Sequence, residues 1–207
     1  MDLAPGFRDA TVALEPIALE HVDALCAAAV DRSTFGLAPV PRDRAETVAY
    51  VERAIADRAG RRAVPYAVRS IASGQIVGSL RFMSLEWWSW PPGPTPAGEP
   101  RDPATTPPDV AEIGHAWLAP SAQRTAINTA CCRLMMTHAF EVWRVHRLVL
   151  KTDARNQRSR DAITRLGGHF EGILRAHLPA ADGVIRDTAM FSIVPGEWPA
   201  IKARINS

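Results

Sequence analysis

The chain has 207 residues, 47% of them hydrophobic, and its 24 Lys and Arg against 22 Asp and Glu leave a formal net charge of +2. That length carries one substantial core, so one domain over residues 1–207 is expected. The near-balanced charge argues against a nucleic-acid module or a membrane-surface partner, and no apolar run approaches the roughly 20 residues of a bilayer span.

In chain order, Val12 to Leu14 reads as a short first strand. Leu19, Val22, Leu25, Cys26 and Ala29 recur at helical spacing and predict a helix from about Leu19 to Val30. A Pro-bounded loop from Thr34 to Arg42 leads to a second helix over about Asp43 to Ala59, stopped at Gly60. Ala63 to Ser70 alternates as a strand, Ser73-Gly74 turns, and Gln75 to Leu85 is its hairpin partner.

Residues 86–109 read EWWSWPPGPTPAGEPRDPATTPPD. Pro and Gly at that density cannot occupy a helix or a central strand, so this is an insertion loop, longer than compact domains commonly carry. Trp87, Trp88 and Trp90 either pin a surface excursion to the body or wall a binding site.

Val110 to Leu118 is a strand. Ile127, Ala130, Cys131, Leu134, Met135, His138 and Val142 then mark one face of a helix, read as core packing. Arg147 to Thr152 is a strand, and Asn156 to Leu166 a helix closed by Gly167-Gly168. Phe170 to Leu178 and Ile185 to Val194 form a hairpin across Asp182-Gly183, and Trp198 lies in a short tail. The order predicts an α+β fold with a mostly antiparallel sheet and one βαβ unit in its middle. Cys26, Cys131 and Cys132 have no disulfide-framework or zinc spacing, which suits small buried fillers, a reducing cytoplasm and no metal. Met1 to Ala10 lacks the apolar core of a secretory signal.

The stretch from Glu112 to Gly168 carries the chemistry. One strand feeds a loop that opens a helix, and a second strand feeds a helix that begins at Asn156, so exposed N–H groups converge as an anion needs. EIGHAWLAPSAQRTAIN and TDARNQRSRDAITRLGG, with RDTAMFSI in the last strand, resemble the GNAT superfamily of acyl-CoA-dependent N-acyltransferases. Within it they are similar to the RimJ/RimL branch, which acetylates ribosomal-protein N-termini. The resemblance covers about Leu14 to Trp198, is strongest from Glu112 to Ser192, and excludes the Pro-rich insertion. It implies a sheet splayed between the fourth and fifth strands, flanked by about four helices.

The resemblance also implies roles. Gln123, Arg124, Thr125, Ala126, Ile127 and Asn128 stand where the family holds the CoA pyrophosphate with a Gln/Arg-x-x-Gly-x-Gly/Ala loop. Ala126 replaces the usual Gly and Asn128 the usual Gly or Ala. Close approach to phosphate favours Gly, but Ala serves where the backbone keeps a negative φ, as in a first helical turn. Pantetheine would lie in the splay against Ala116, Trp117 and Leu118. Asn156 would bond the pantetheine arm, and Ser159 would return a proton to the leaving thiolate. Read without the family, Asn156 is an N-cap and Ser159 a solvated helix serine.

Acyl transfer to nitrogen also needs a group that takes the amine proton and a donor for the oxyanion. Glu112 is the first choice for the base, with a structural ion pair to Arg147 or Lys151 as its plain alternative. Period 2 places Glu112 with Gly114 and Ala116 and puts His115 on the opposite face, unless a bulge intervenes. The N–H of Trp117 or Leu118 would be the oxyanion donor. The resemblance therefore implies an N-acetyltransferase moving acetyl from acetyl-CoA directly to an amine, either a peptide or protein N-terminus or a small molecule. A longer acyl-CoA such as succinyl-CoA, or a catalytically silent CoA-sensing protein, stands as the alternative. No metal, nucleic acid or membrane is implied, and a homodimer through the last strands or the Trp loop is left open.

Overall fold

The computed structural model describes residues 3–91 and 100–205. Its strands are β1 (Phe7–Arg8), β2 (Val12–Pro16), β3 (Val64–Ser70), β4 (Ile76–Glu86), β5 (Val110–Leu118), β6 (Arg147–Asp153), β7 (His169–Pro179) and β8 (Ile185–Ile193). They form one sheet in the order β1-β2-β3-β4-β5-β6-β8-β7. Every neighbouring pair is antiparallel except β5 and β6, which are parallel. The helices are α1 (Val22–Ala28), α2 (Arg44–Ala59), α3 (Ile127–Thr137), α4 (Gln157–Leu166) and α5 (Trp198–Ile205).

Two elements differ from the sequence reading. β1 is two residues long, too short to show a period, so the predicted fourth and fifth strands are β5 and β6. The expected tail at Trp198 is the helix α5. Pro199 in its first turn looks like a breaker, yet that position needs no N–H. Its buried residues, Trp198 and Ile201, are too few to reveal a face. Elsewhere local chemistry sets the ends as expected. Asp43 caps α2 by accepting from the Glu46 N–H at 2.8 Å, and Gly167 closes α4 at a left-handed φ of 104°.

The sheet is covered on both faces. Leu14, Tyr66, Phe82, Ile113, Leu148 and Phe191 share a core with α3, α4 and α5. On the other face α1 and α2 cover part of the sheet, and Val51, Ala54 and Leu25 bury Ala67 and Trp117. The segment after α3, His138–Val142, is a π-helical turn in which Trp143 N–H donates to the His138 carbonyl at 2.9 Å.

Sheet geometry around β5 positions the site. β5 and β6 pair only at Val110–Arg147, Ala111–Leu148 and Glu112–Val149, yet β5 runs on to Leu118 and β6 to Asp153. The two strands therefore fork just past Glu112. β6 stays in register with β8 from Leu148 to Asp153, so the departure lies in β5. Arg81 faces Gly114, and Ser79 then faces Trp117, so β5 carries one extra residue against β4. His115 takes a positive φ of 48° inside that bulge. A bulge bends its strand and raises the local twist, which swings the end of β5 away from β6. It also corrects the alternation count: Trp117, not Ala116, shares the face of Glu112 and Gly114.

Candidate active site

Glu112 sits at the fork and is 2% exposed. Its Oε2 accepts from Ser84 Oγ at 2.8 Å and lies 2.8 Å from Lys151 Nζ. Its Oε1 accepts no hydrogen bond among the described residues and lies over Gly114. A Cβ at Gly114 would come within 2.8 Å of that Oε1 and 2.9 Å of Met83 Sδ. The glycine therefore leaves room for the carboxylate. The ion pair with Lys151 is the alternative that the sequence left open, and it employs one oxygen while leaving the other available.

Gly114, Ser84 and Lys151 are neighbours of Glu112 that sequence reasoning did not assign to chemistry. Ser84 comes from a second irregularity, a positive φ of 47° beside a register shift between Met83 and Glu86. No sequence period signals such a position. His115 has an imidazole pushed down to about 4, first by the desolvating cleft and then by the charges of Arg81, Lys151 and Arg186. The ring is open at its surface, but at neutral pH it is uncharged, a hydrogen-bonding group rather than a cation.

The second part of the site is the loop into α3. Ala126 keeps φ −67° and ψ −12°, the helical conformation in which an Ala can replace Gly. The N–H groups of Arg124, Ala126, Asn128 and Thr129 find no protein acceptor among the described residues. Arg124 adopts φ +58°, exposed and with no side-chain partner there. Side chains of this loop are committed to the scaffold. Gln123 Nε2 donates to Thr34 Oγ1 and to the Leu118 carbonyl, each at 2.7 Å, and its Oε1 accepts from Arg158 at 3.0 Å. The Thr125 hydroxyl donates to the Ala122 carbonyl at 2.7 Å, so its proton is already engaged. Ile127 is buried in the core. What this loop presents outward is backbone and Arg124.

The third part is the start of α4, directly after β6. Asn156 Oδ1 accepts from the Ser159 N–H at 3.1 Å, so the cap role is real. Ser159 is half-buried and its hydroxyl has no partner among the described residues. The Arg158–Gln123 bond ties this helix start to the α3 loop. The fold thus brings the α3 loop, the α4 start and the fork together, while Ala116, Trp117 and Leu118 line the free length of β5. Trp117 is buried against Phe35, ring centroids 5.8 Å apart, so only its backbone faces the fork.

A cavity of about 280 Å³ opens on the Glu112 face below the fork, bounded by β4, β5, β6, β7 and Trp88. The insertion supplying Trp88 is anchored. Asp109, with no exposed surface, accepts from the Trp88 N–H at 2.9 Å and lies 3.4 Å from Arg101 Nε. The Trp88 ring stacks on His146 at 5.5 Å. The loop is pinned to the body, as one reading of the tryptophans expects, and the Trp88 side chain lines a cavity. Residues 92–99 of the insertion lie outside the described residues.

Against known proteins, residues 11–169 match the family model of the GNAT acetyltransferase domain. The chain belongs to the GNAT acetyltransferase family. A GNAT structure from Brucella melitensis, a GCN5-related N-acetyltransferase, superposes with a TM-score of 0.79 at 29% identity, over 98% of this chain and 84% of that one. RimJ of Mycobacterium smegmatis, solved with CoA-disulfide, shares the fold with a TM-score of 0.74 at 21% identity, over 94% of this chain and 88% of that one. YdaF of Bacillus subtilis (strain 168), whose name assigns it provisionally to ribosomal N-acetylation, is 34% identical over 92 residues. That match spans 44% of this chain and about half of YdaF, 49%. The GNAT assignment and the RimJ/RimL likeness read from the sequence are thus met, and the splayed sheet is the one expected, with α5 as a further helix. Among the described residues no helix is long and apolar enough to cross a membrane.

Proposed function

We propose that this GNAT enzyme transfers an acetyl group from acetyl-CoA directly to an amine, with the pyrophosphate held at the α3 loop and the thioester in the β5–β6 fork. The observation that carries this is the amides of Arg124, Ala126, Asn128 and Thr129, without acceptors among the described residues, beside a strand fork whose apex holds a carboxylate with one oxygen unbonded among those residues. Amide groups at a helix start suit a diphosphate, and Arg124 adds a mobile charge. The open strand edges suit the amide-bearing pantetheine arm, which pairs like an added strand.

On this reading the acceptor enters from the cavity side and gives its ammonium proton to Glu112 Oε1, directly or through water. The freed lone pair attacks the thioester carbonyl, and a β5 amide beside the bulge donates to the oxyanion. Collapse expels the thiolate; Ser159, one turn into α4, hands it a proton, and the second proton shed by the nitrogen as it becomes an amide restores the serine hydroxyl. Cys131 and Cys132 stand apart from the chemistry. Both are buried in α3, and burial raises both thiols, Cys132 to about 12. The acceptor is a peptide N-terminus or a small-molecule amine, and the protein works in the cytoplasm. Ala126 keeps a helical conformation that admits a phosphate, which supports coenzyme binding by an enzyme and by a silent CoA-sensing protein alike, so thiol release is what separates the two.

The test is thiol release from acetyl-CoA across a panel of amines and short peptides, with calorimetric titration of the coenzyme. Glu112→Gln is expected to lower kcat by about 10²–10⁴, the usual worth of a general base, while leaving coenzyme affinity intact. Unchanged turnover in that variant would remove Glu112 from the mechanism, and absence of coenzyme uptake would remove the mechanism itself.

A further inference from the structure

The cavity beneath the fork has a composition that speaks to the acceptor. Its apolar lining is Trp88 from the insertion, Val110 and Val149 on the floor, and Leu174 and Met190 from the last hairpin, with His177 of that hairpin as a polar group among them. Its one polar end toward the fork is the Glu112–Lys151 pair. Its two cations are both engaged, Lys151 with Glu112 and Arg147 through both guanidinium nitrogens with Glu171. An acceptor bearing a carboxylate would therefore find no unpaired Lys or Arg in it among the described residues, with the His177 ring as the remaining polar group able to meet it.

Register sets its length. Glu86, Val110 and Arg147 stand side by side across three strands. Two residues further along β5, Glu112 faces Met83 and Val149. Two residues of strand span about 7 Å, so the apolar section between the fork and the polar rim is about one ring and a short arm long. The volume of about 280 Å³ falls just under the roughly 300 Å³ where pockets begin to hold drug-sized ligands. One side-chain-sized group fits. Trp88 is 39% exposed, so part of its surface is available to a ligand. Its orientation is held by His146 in a near-parallel stack, 13° between planes, and at its own backbone by Asp109. A preset flat ring beside an apolar floor offers stacking to a flat partner.

Resting on the reading above, we infer that the acceptor amine carries an aromatic or comparably large, flat apolar group that stacks on Trp88 while its nitrogen reaches Glu112 at the fork. The acceptor is then an arylalkylamine or a peptide whose first residue is aromatic. Glu86 at the far rim would instead favour a second cation, so a polyamine is the competing occupant.

The experiment compares tryptamine, phenethylamine, n-propylamine and spermidine as acceptors for the full chain with acetyl-CoA, reading thiol release, and repeats it for Trp88→Ala and Trp88→Phe. Coenzyme titration of each variant serves as the control on folding. The aryl amines are expected to exceed propylamine and spermidine in kcat/KM by about tenfold or more, the worth of a stacked aromatic pair with its burial. Trp88→Ala should collapse that ratio through KM, and Trp88→Phe should restore most of it. A preference for spermidine, or a ratio indifferent to Trp88→Ala, overturns the aryl acceptor and leaves the acetyl transfer standing. No thiol release from any amine together with no coenzyme uptake overturns both.

Discussion

At the scale of single residues, the Glu112–Lys151 pair joins a structural ion pair to the carboxylate proposed as the base. The two side chains are 3% and 18% exposed, and Ser84 supplies the remaining bond to the shared oxygen. Breaking a pair this buried by deleting one partner strands a charge, at a cost of about 3–5 kcal/mol, whereas removing both charges costs far less. Lys151→Met is therefore expected to destabilise the fold by about 3 kcal/mol, and Glu112→Gln with Lys151→Met by clearly less than the sum of the single changes. Urea unfolding of the three variants reads this directly, and strict additivity would show that the pair is not coupled. Gly114 belongs with this pair, because the missing Cβ is what lets Oε1 stand clear.

At the scale of elements, the β5 bulge and the Gln123 side chain do complementary work. The bulge parts β5 from β6. Gln123 then holds the end of β5, through the Leu118 carbonyl, to Thr34 in the α1–α2 connection and to Arg158 in α4. Gln123→Ala removes three bonds at a half-buried junction. Each is worth about 1 kcal/mol net, and the loss falls where the proposed phosphate cradle is framed. The expected result is a rise of about tenfold or more in the acetyl-CoA dissociation constant, beyond what Arg124→Ala causes by removing charge alone. Calorimetry on both variants decides it, and equal affinity in wild type and Gln123→Ala would mean the cradle keeps its shape without that frame.

At the scale of the whole molecule, the core holds a histidine that no step of the chemistry uses. His138 is 8% exposed, with ring centroids 4.9 Å from both Phe7 and Trp143. Burial pushes its imidazole down to about 4. The unfolded chain titrates near the ordinary 6.5, so between pH 6.5 and 4 the unfolded state binds more protons than the folded one. Stability from this group is complete at neutral pH, falls as pH drops below about 6.5, and stops falling near pH 4, for a total of roughly 2–3 kcal/mol. Glu15 acts in a lower window. Its hydrogen bond from Arg69 first, and then that from His21, bring it to about 2, so its contribution is lost only as pH falls from 4.5 toward that value. The His138→Leu variant is expected to lose about 2 kcal/mol less than wild type between pH 7 and 4.5, measured by urea melts at each pH. Parallel pH dependences in the two proteins would count against His138 as the source.

The sequence by itself determined what depends on neighbours along the chain. Helix caps at Asp43 and Gly167, the turn at Asp182-Gly183, the α+β order and the family resemblance from Glu112 onward are all written in local residue types and spacings. Glu112, Asn156 and Ser159 could be named because their family motif is a linear string. Only tertiary structure decided what those residues touch. The bulge at His115 arises from the pairing of β5 with β4, and one inserted residue reverses every facing assignment beyond it, as Trp117 shows. Lys151 and Ser84 reach Glu112 from strands 39 and 28 residues away, a proximity that no local period encodes. Trp88 illustrates the same limit, since a Pro-rich loop reads as a loop, but the wall it builds depends on Asp109, Arg101 and His146 meeting it in space. Backbone propensity and capping act within a few residues, whereas the strand fork, the shared carboxylate and the cavity are products of long-range pairing.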